Sequence, residues 1–356
     1  MRLIVAGAGM AGLAAAAEAR ALGAEVVVRE RLDRPGGSML LSSGVIWRHR
    51  DFERFRADCP AGDERLQRLV FDLLDEGIEW LESLGAPVAE RGTGNELTSG
   101  ARFGTAELTS ALAEAAGDVR LGDPLESLPA DGPVILATGG FPADRELLRR
   151  HVTTEADHVA LRAAPGNAGD GLRMGLGAGG RLGSGMDEVY GRNMPAPPAA
   201  AGEPDYVRAS QLYARHAEVV NEAGDRFETA TWSEIDVLQW TARQPRARAW
   251  FRVAEPALAE RVRDRSVGEM VAVAEALGGP VRRESGSVTV ETVAGVTSTI
   301  GGIAIDPSGR VAPGVYAAGD DVAGIATGGW ASGLAGALVI GRAAARAAVE
   351  DAGAGR

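Results

Sequence analysis

Lysine is absent from this sequence of 356 residues, in which all 37 basic side chains are arginines. The absence excludes enzymes that form a Schiff base on a lysine and nucleotide-binding proteins of the P-loop type. The 49 acidic residues leave a formal net charge of −12, and a surface of that sign repels a nucleic-acid backbone. We therefore expect a small-molecule substrate and no nucleic-acid partner.

Cysteine, histidine and long apolar runs are also scarce. Cys59 stands alone, so no intrachain disulfide can form, and the four histidines lack the spacing of metal ligands. The most apolar stretch, from Ala331 to Ile340, is too short to span a bilayer, and no signal peptide is visible before the first predicted strand. We expect a cytoplasmic protein without a metal and without membrane contact.

Hydrophobic patterns at both ends of the chain indicate alternating strands and helices. Strands are predicted at 2–6 and 25–29 around a helix at 13–22, and the chain ends with a strand at 314–318 and a helix at 333–348. Between them we predict helices at 62–84, 105–116, 233–243 and 255–278, strands at 133–137, 217–220 and 287–293, and hairpin turns within 217–227 and 303–311.

This order predicts an α/β fold with a Rossmann-like nucleotide-binding domain built from both chain ends. An α+β domain is inserted between the two parts. We place the first part of the nucleotide-binding domain at 1–184, the inserted domain at 185–295 and the closing part at 296–356.

The strongest local motif is Gly7-Ala8-Gly9-Met10-Ala11-Gly12, which follows the first strand and opens the first helix. In such a motif the first glycine makes a tight turn, the second lets backbone amides approach a pyrophosphate, and the third lets helix and strand pack closely. Glu30 ends the second strand, where an acid can accept hydrogen bonds from an adenosine ribose; the alternative is a solvated strand end. The spacing predicts a dinucleotide site.

A series of ordered blocks identifies the dinucleotide. They are RPGGSMLLSSGVIW (34–47), VILATGGF (134–141), PGNAGDGLRMGLGAG (165–179), VVNEAGDRF (219–227), STIGGIAIDPSGRV (298–311) and GVYAAGDDVAGIATGGWASGLAGALVIGR (314–342). Together with the glycine motif they resemble the fumarate reductase, succinate dehydrogenase and 3-ketosteroid dehydrogenase superfamily. The resemblance covers about two thirds of the chain and implies an FAD-dependent oxidoreductase with a shortened cap domain.

The resemblance and the motif together imply a set of FAD contacts. Asp320 follows a strand and can accept hydrogen bonds from the ribityl hydroxyls, or is an ordinary turn cap; the helix amides after it can stabilise charge at flavin N1 and O2. The expected contacts are Gly7, Gly9, Met10, Ala11, Gly12, Glu30, Gly36, Gly37, Ser38, Ser43, Gly44, Ala137, Thr138, Gly139, Asp170, Gly319, Asp320, Ser332, Gly333, Leu334 and Ala335.

Departures from the superfamily bear on the chemistry. Gly37 stands where members with covalent flavin carry a histidine, which implies non-covalent FAD. Gly328 and the Val296–Thr297 region stand where fumarate and succinate enzymes hold dicarboxylates with an arginine and a histidine. C4-dicarboxylate substrates are therefore disfavoured, and the superfamily's proton-transfer residues cannot be carried over to this chain.

Candidate substrate and catalytic residues remain. Trp47 and Trp330 fall in blocks expected near the isoalloxazine and suit a flat, apolar substrate, or pack in the core. The catalytic candidates are Thr299, Arg102, Tyr213 and His216. The alternative for the arginine is a position in a solvated loop. The alternative for the tyrosine and the histidine is a position on a strand face with no part in the chemistry.

Three functions are compatible with this sequence. The first is dehydrogenation or reduction of a C–C bond next to a carbonyl in a small, largely apolar metabolite, by hydride transfer at flavin N5. The second is an FAD-dependent oxidase or monooxygenase acting on CH–OH or CH–NH. The third is an electron-transfer subunit, because a shortened cap leaves a flavin face that a homodimer or another partner would cover.

Overall fold

The computed structural model describes residues 2–228 and 234–354, and the chain divides into two compact units. The first unit comprises the chain up to Asp144, the segment Ala164–Glu188 and the chain from Thr299 onward. The second unit comprises Arg145–Ala163 and Val189–Ser298. The segment Arg145–Ala163, which the sequence analysis placed in the nucleotide-binding domain, joins the second unit because its strand pairs there.

Helices and strands follow one another along the described ranges. The helices are α1 (Met10–Ala21), α2 (Phe52–Asp58), α3 (Glu64–Ser83), α4 (Thr105–Ala116), α5 (Arg145–His151), α6 (Asp170–Gly177), α7 (Glu234–Ala242), α8 (Val267–Ala276) and α9 (Gly333–Ala354). The strands are β1 (Arg2–Ala6), β2 (Glu25–Arg29), β3 (Val45–His49), β4 (Val88–Arg91), β5 (Thr98–Phe103), β6 (Asp118–Arg120), β7 (Val134–Leu136), β8 (Ala160–Leu161), β9 (Val189–Pro195), β10 (Glu218–Val220), β11 (Arg248–Ala254), β12 (Arg261–Val262), β13 (Arg265–Ser266), β14 (Val281–Glu284), β15 (Ser287–Thr299), β16 (Arg310–Ala312) and β17 (Val315–Ala317). Across these described ranges, no helix combines the length and apolarity that crossing a membrane requires.

A six-stranded sheet with the order β16-β17-β7-β1-β2-β6 forms the centre of the first unit. All neighbours are parallel except β16, which pairs antiparallel with β17 at the edge. Leu3, Val28 and Ile135 are fully buried, as expected for short apolar strands inside a parallel sheet. Parallel strands end at one edge, so the loops after β1, β7 and β17 meet there.

Helices α1 and α9 pack closely in the same unit. A Cβ added to Gly341 of α9 would lie 2.5 Å from the carbonyl oxygen of Ala11 in α1, so only glycine permits this approach. A largely buried ion-pair network continues the contact: Glu18 accepts from Nε of Arg342 (2.8 Å) and Nε of Arg346 (2.6 Å). The first and last helices therefore belong to one core.

The second unit is built on an antiparallel sheet with the order β10-β11-β15-β14, and the start of β15 lies opposite the end of β11. Tyr213, Phe251, Met270 and Val290 are fully buried and pack together beside it. The predicted α/β class, with a parallel sheet drawn from both chain ends and an inserted α+β unit, is confirmed.

Two element predictions were wrong. The helix expected over 255–278 begins only at Val267, because Ser266 and Glu269 form a reciprocal capping box that starts α8. The residues before it form a short 3₁₀ helix at Glu255–Ala259 and the β12–β13 hairpin. At 303–311 the turn exists, and Asp306 accepts from the amides of its own turn. No hairpin forms within the segment, because β16 pairs with β17.

Candidate flavin site

The glycine motif forms a tight junction between β1 and α1. Gly7 has a φ of +104°, and a Cβ there would lie 2.2 Å from the carbonyl oxygen of Ala137 in the loop after β7. A Cβ on Gly12 would lie 1.9 Å from the carbonyl oxygen of Gly7. Both contacts involve backbone atoms. A larger residue at Gly7 would push away the loop after β7, and a larger residue at Gly12 would push α1 away from β1.

Gly9, unlike Gly7 and Gly12, borders open space. A Cβ at this position would meet no atom within 4 Å, although Gly9 directly precedes the N-terminus of α1. Gly37 faces it, with its own added Cβ 3.4 Å from the Cα of Gly9, and the Gly36 amide bonds the Ala8 carbonyl at 2.7 Å. This glycine-lined cradle at a helix N-terminus fits the pyrophosphate of FAD, because free amides and the helix dipole favour negative charge there.

Glu30 lies beside the cradle. Its side chain is 7% exposed, and its two oxygens accept from the amides of Ala8 (2.6 Å) and Leu32 (2.8 Å). Each carboxylate oxygen keeps a further lone pair for a ribose hydroxyl. The carboxylate is thus held in place by the glycine loop itself, which differs from the solvated strand end considered from the sequence.

Replacing Glu30 by alanine is expected to weaken FAD binding roughly tenfold to a hundredfold, the value of one or two hydrogen bonds to a charged acceptor. Titration of the apoprotein with FAD, followed by flavin fluorescence, measures the change. Glu25→Ala, an exposed position at the other end of β2, is the matched control and should bind normally. Equal affinity of both variants would contradict the ribose role.

A second group of contacts holds Ser38, which directly follows the glycine pair at 36 and 37. Ser38 Oγ accepts from the amide of Ala164 (3.0 Å) and from Nδ2 of Asn167 (3.1 Å). Gly139, with a φ of +90°, lies against the same Asn167 side chain. Ser38 and Gly139 are among the contacts expected from the sequence, whereas Asn167 is not. The PGN part of its block was the available signal.

Asp321, rather than Asp320, is the buried acid of the closing block. It is 0% exposed and accepts from the Thr138 amide (2.5 Å), the Thr138 hydroxyl (3.0 Å) and the Gly140 amide (3.0 Å). Burial raises the pKa of its carboxyl, while these donors lower it. Thr138 also accepts from the Gly171 amide at 2.9 Å, so its hydroxyl joins the ends of β7 and α6 to the closing block.

Asp320 lies at the same edge of the sheet. A Cβ added to Gly140 would lie 3.3 Å from the Cβ of Asp320. A Cβ added to Gly333, the first residue of α9, would lie 3.9 Å from Oδ1 of Asp320. Thr299 Oγ1 is 2.6 Å from the same Gly140 position, and Ser332 Oγ accepts from the Ala335 amide at 3.3 Å as the helix begins. The structure therefore brings Asp320, Thr299 and the start of α9 together, beside the glycine cradle.

Other predicted contacts have structural partners of their own. Asp170 at the start of α6 forms an ion pair with Arg31. Gly44 and Gly319 both have a φ of +69°. A Cβ added to Gly44 would lie 2.1 Å from the carbonyl oxygen of Phe103, and one added to Gly319 would lie 3.0 Å from the Cβ of Ala11. Met10 and Ala11 are buried in the first turn of α1, while Ser43 and Ala137 lie in loops and Leu334 lies in the first turn of α9.

An aromatic cluster is the second feature of this unit. The rings of Trp47 and Trp330 lie 4.6 Å apart between centroids, and Trp47 contacts His49 at 5.3 Å. His49 stacks on Phe55 and lies 3.2 Å from Asp58, and burial lowers the pKa of its imidazole. Burial also raises the pKa of the Cys59 thiol to about 12, which excludes a thiolate nucleophile at neutral pH.

The catalytic candidates do not gather in one unit. Arg102 lies on β5, not in a loop, with its exposed guanidinium 3.6 Å from Glu90. Tyr213 belongs to the second unit, where it is fully buried and donates to Gln211 at 2.9 Å; burial raises the pKa of its hydroxyl. His216 ends the 3₁₀ helix Ala214–His216 of that unit and is half-buried. Of these four candidates, Thr299 borders the predicted flavin contacts within the first unit.

Comparisons with known proteins agree with this geometry. A family model described as an FAD binding domain matches residues 2–127 and 125–337. Vinyl phenol reductase from Lactiplantibacillus plantarum is 26% identical over 282 residues, covering 63% of this chain and 55% of that protein. The chain thus spans only about half the length of this relative.

Solved structures share the fold at low identity. A flavocytochrome c3 fumarate reductase in its open conformation gives a TM-score of 0.73 at 20% identity, covering 99% of this chain and 78% of its own. The 3-ketosteroid-delta4-(5alpha)-dehydrogenase of Rhodococcus jostii RHA1 gives 0.71 at 20% identity, with 98% and 96% covered. The 3-ketosteroid delta1-dehydrogenase of Sterolibacterium denitrificans gives 0.73 at 16% identity, with 98% and 99% covered. With the family model matching most of its length, and with a glycine cradle suited to the cofactor, this chain belongs to the FAD-binding domain family.

Proposed function

We propose that this protein is an FAD-dependent oxidoreductase that reduces or desaturates a C–C bond next to a carbonyl in a small and largely apolar metabolite. The Trp47–Trp330 pair is the observation that carries the proposal. Trp330 stands three residues before Gly333, where α9 begins beside Asp320. An aromatic wall next to the predicted flavin ring suits a planar substrate held by stacking.

The relatives support this substrate class. Vinyl phenol reductase and the ketosteroid dehydrogenases are named for substrates that are flat and mostly apolar, and for reactions that add or remove hydrogen. A protein without lysine also lacks the amine that carbonyl condensation chemistry would need. For this chain, the names of these relatives support a class of substrate and no individual compound.

FAD, when bound, supplies the hydride donor or acceptor. The cradle of Gly9 and Gly37 would hold the pyrophosphate. FAD would be bound non-covalently, because Gly37 has no side chain that could form a bond to the flavin ring. The amides at the start of α9 would stabilise negative charge on the pyrimidine side of the reduced ring, because they lie at a helix N-terminus. The tryptophan pair would orient the substrate and exclude water from its apolar face.

Anaerobic photoreduction of the purified holoenzyme, followed by reoxidation, tests the proposal. We expect 2-cyclohexenone or 4-phenyl-3-buten-2-one to restore the oxidised flavin spectrum at least tenfold faster than air does. Trp330→Leu should raise the KM for these alkenes, while Trp240→Leu, a tryptophan of the second unit packed on Phe227, should not. Rapid recovery with air alone would instead favour an oxidase or monooxygenase.

Recovery only with a protein partner, or a stable hetero-oligomer on size exclusion, would favour the electron-transfer subunit. A homodimer that reduces the alkene unaided is compatible with the proposal and would indicate that a second copy covers the flavin face. No reoxidation by any alkene would overturn the proposal.

A further inference from the structure

A buried glutamine lies on helix α3 of the first unit. Gln67 is 0% exposed, whereas the other buried residues of this helix are apolar or glycine. Its Oε1 accepts from Nη1 of Arg56, and its Nε2 donates to the carbonyl oxygens of Cys59 (2.9 Å) and Ile325 (2.9 Å). Both hydrogens of the amide group are therefore used, and the guanidinium at the other end fixes which way the amide faces.

The two carbonyl groups belong to segments far apart along the chain. Cys59 begins the loop 59–63 between α2 and α3, which we call the Cys59 loop. Ile325 is 258 residues from Gln67, in the segment 324–332 between β17 and α9. This segment carries Trp330, and we call it the Trp330 loop. One side chain of α3 thus ties together two loops that are distant in the sequence.

Backbone contacts continue the junction between the two loops. The Asp63 amide donates to the Gly324 carbonyl at 2.7 Å, where the Trp330 loop begins. At the other end of that loop, a Cβ added to Gly329 would lie 1.5 Å from the carbonyl oxygen of Asp58. The residue directly before Trp330 therefore lies against backbone atoms, in a space that only glycine fits.

The composition of the Trp330 loop explains why it needs these contacts. Three of its first six residues are glycines, the residue type with the greatest backbone freedom. The amide of Trp330 itself donates to the thiol of Cys59, which is completely buried. An aromatic side chain binds a ligand best when it is already in place, because ordering a mobile loop on binding costs free energy. The bonds of Gln67 supply that order in advance.

We propose that Gln67 is a positioning residue that holds Trp330 in place for the substrate and so sets the preference for flat alkenes. The inference rests on the proposed function. An apolar side chain would suit the buried face of α3 equally well, because its neighbours there are apolar. The glutamine adds hydrogen bonds, and one of them reaches the loop that carries Trp330. A substrate with a ring gains from a fixed indole by stacking, whereas a substrate without a ring does not.

Gln67→Leu removes the hydrogen bonds and leaves a side chain that suits apolar surroundings. The photoreduced holoenzyme is mixed with an alkene, and flavin reoxidation is followed over a range of alkene concentrations. For 4-phenyl-3-buten-2-one the half-saturating concentration should rise about fivefold, the value of one aromatic stacking contact, while the limiting rate stays near that of the wild type. For 3-buten-2-one, which has the same enone and no ring, both values should stay unchanged.

A double-mutant cycle shows whether Gln67 acts through Trp330. In the Trp330→Leu background, Gln67→Leu should cause no further rise for the ring-bearing alkene, because the indole that it positions is gone. Leu74→Ala, at a fully buried position two turns further along α3, is the matched control. It should lower the melting temperature by leaving a cavity and keep both half-saturating concentrations. Equal changes for the two alkenes, or the same effect of Gln67→Leu with and without Trp330, would overturn the inference.

Arg56→Met covers the case in which Gln67→Leu does not fold. It removes the guanidinium that fixes the Gln67 amide, so the half-saturating concentration of 4-phenyl-3-buten-2-one should rise about twofold, and that of 3-buten-2-one should not. An unchanged value for the ring-bearing alkene would overturn the inference while the proposed function stands. A wild type that reduces neither alkene would instead overturn the proposed function, and the assignment of Gln67 with it.

Discussion

Replacing Asp321 by alanine is expected to lower the free energy of unfolding by about 4 kcal/mol and to release FAD. The substitution leaves the amides of Thr138 and Gly140 buried without an acceptor, at about 2 kcal/mol each. It also frees the Thr138 hydroxyl, which ties the end of β7 to the start of α6. Flavin retention should fail because Asp320 and the start of α9 depend on this junction for their position.

Denaturant unfolding of apoprotein and holoprotein measures both effects. Asp321→Asn should lie between the wild type and alanine, since its single oxygen satisfies one amide while its NH2 group opposes the other. Asp118→Ala is the control, because that exposed carboxylate pairs with Arg120 at the surface, where ion pairs contribute little. A stability loss for Asp321→Ala no greater than that control shows would mean that the acid does not hold this junction together.

Gly12→Ala is expected to yield little soluble holoenzyme. The new methyl group would lie 1.9 Å from the Gly7 carbonyl oxygen, so α1 must move away from β1 and the cradle opens. Overpacking of a side chain usually costs about 1–3 kcal/mol, and a clash with backbone atoms should cost at least the upper value. Thermal unfolding with and without FAD, together with the flavin absorbance of the purified protein, measures the result.

Two further glycine variants distinguish a steric effect on folding from an effect on FAD binding. Gly9→Ala meets no protein atom within 4 Å, so the apoprotein should keep its melting temperature while FAD affinity falls at least tenfold. Gly177→Ala, at the end of α6 and also in open space, should change neither. If Gly9→Ala binds FAD like the wild type, the open space before α1 is not the pyrophosphate site.

The glycine motif and Glu30 could be predicted because their geometry is local. The turn after β1, the start of α1 and the end of β2 lie close together along the chain. At Gly7 and Gly12 an added Cβ would meet backbone atoms, so only glycine fits at these positions. Resemblance over several ordered blocks then identified FAD, which the family match confirms. The helix predicted over 255–278 failed for a local reason that was visible: the capping box at Ser266 and Glu269 marks the true start.

The choice between Asp320 and Asp321 could not be made from the chain order. The two acids are adjacent, and which of them points into the protein depends on how the turn after β17 meets the loop after β7. Thr138, in the loop after β7, is 183 residues away from Asp321 along the chain. Asn167 was missed for the same reason, since its partner Ser38 is 129 residues distant. Long-range hydrogen bonds of this kind leave no periodic signal in the sequence.

The α/β class, the parallel sheet drawn from both chain ends and the cofactor follow from the order of residues along the chain. Glycine positions, short apolar strands and ordered motifs express constraints that act between near neighbours. Which acids are buried, and what surrounds them, emerges only when the chain is folded. Asp321 reads as one of two adjacent aspartates after a strand, and its raised pKa follows from complete burial against Thr138 and Gly140. Burial and electrostatic fields depend on distance in space, so a pattern along the chain cannot report them.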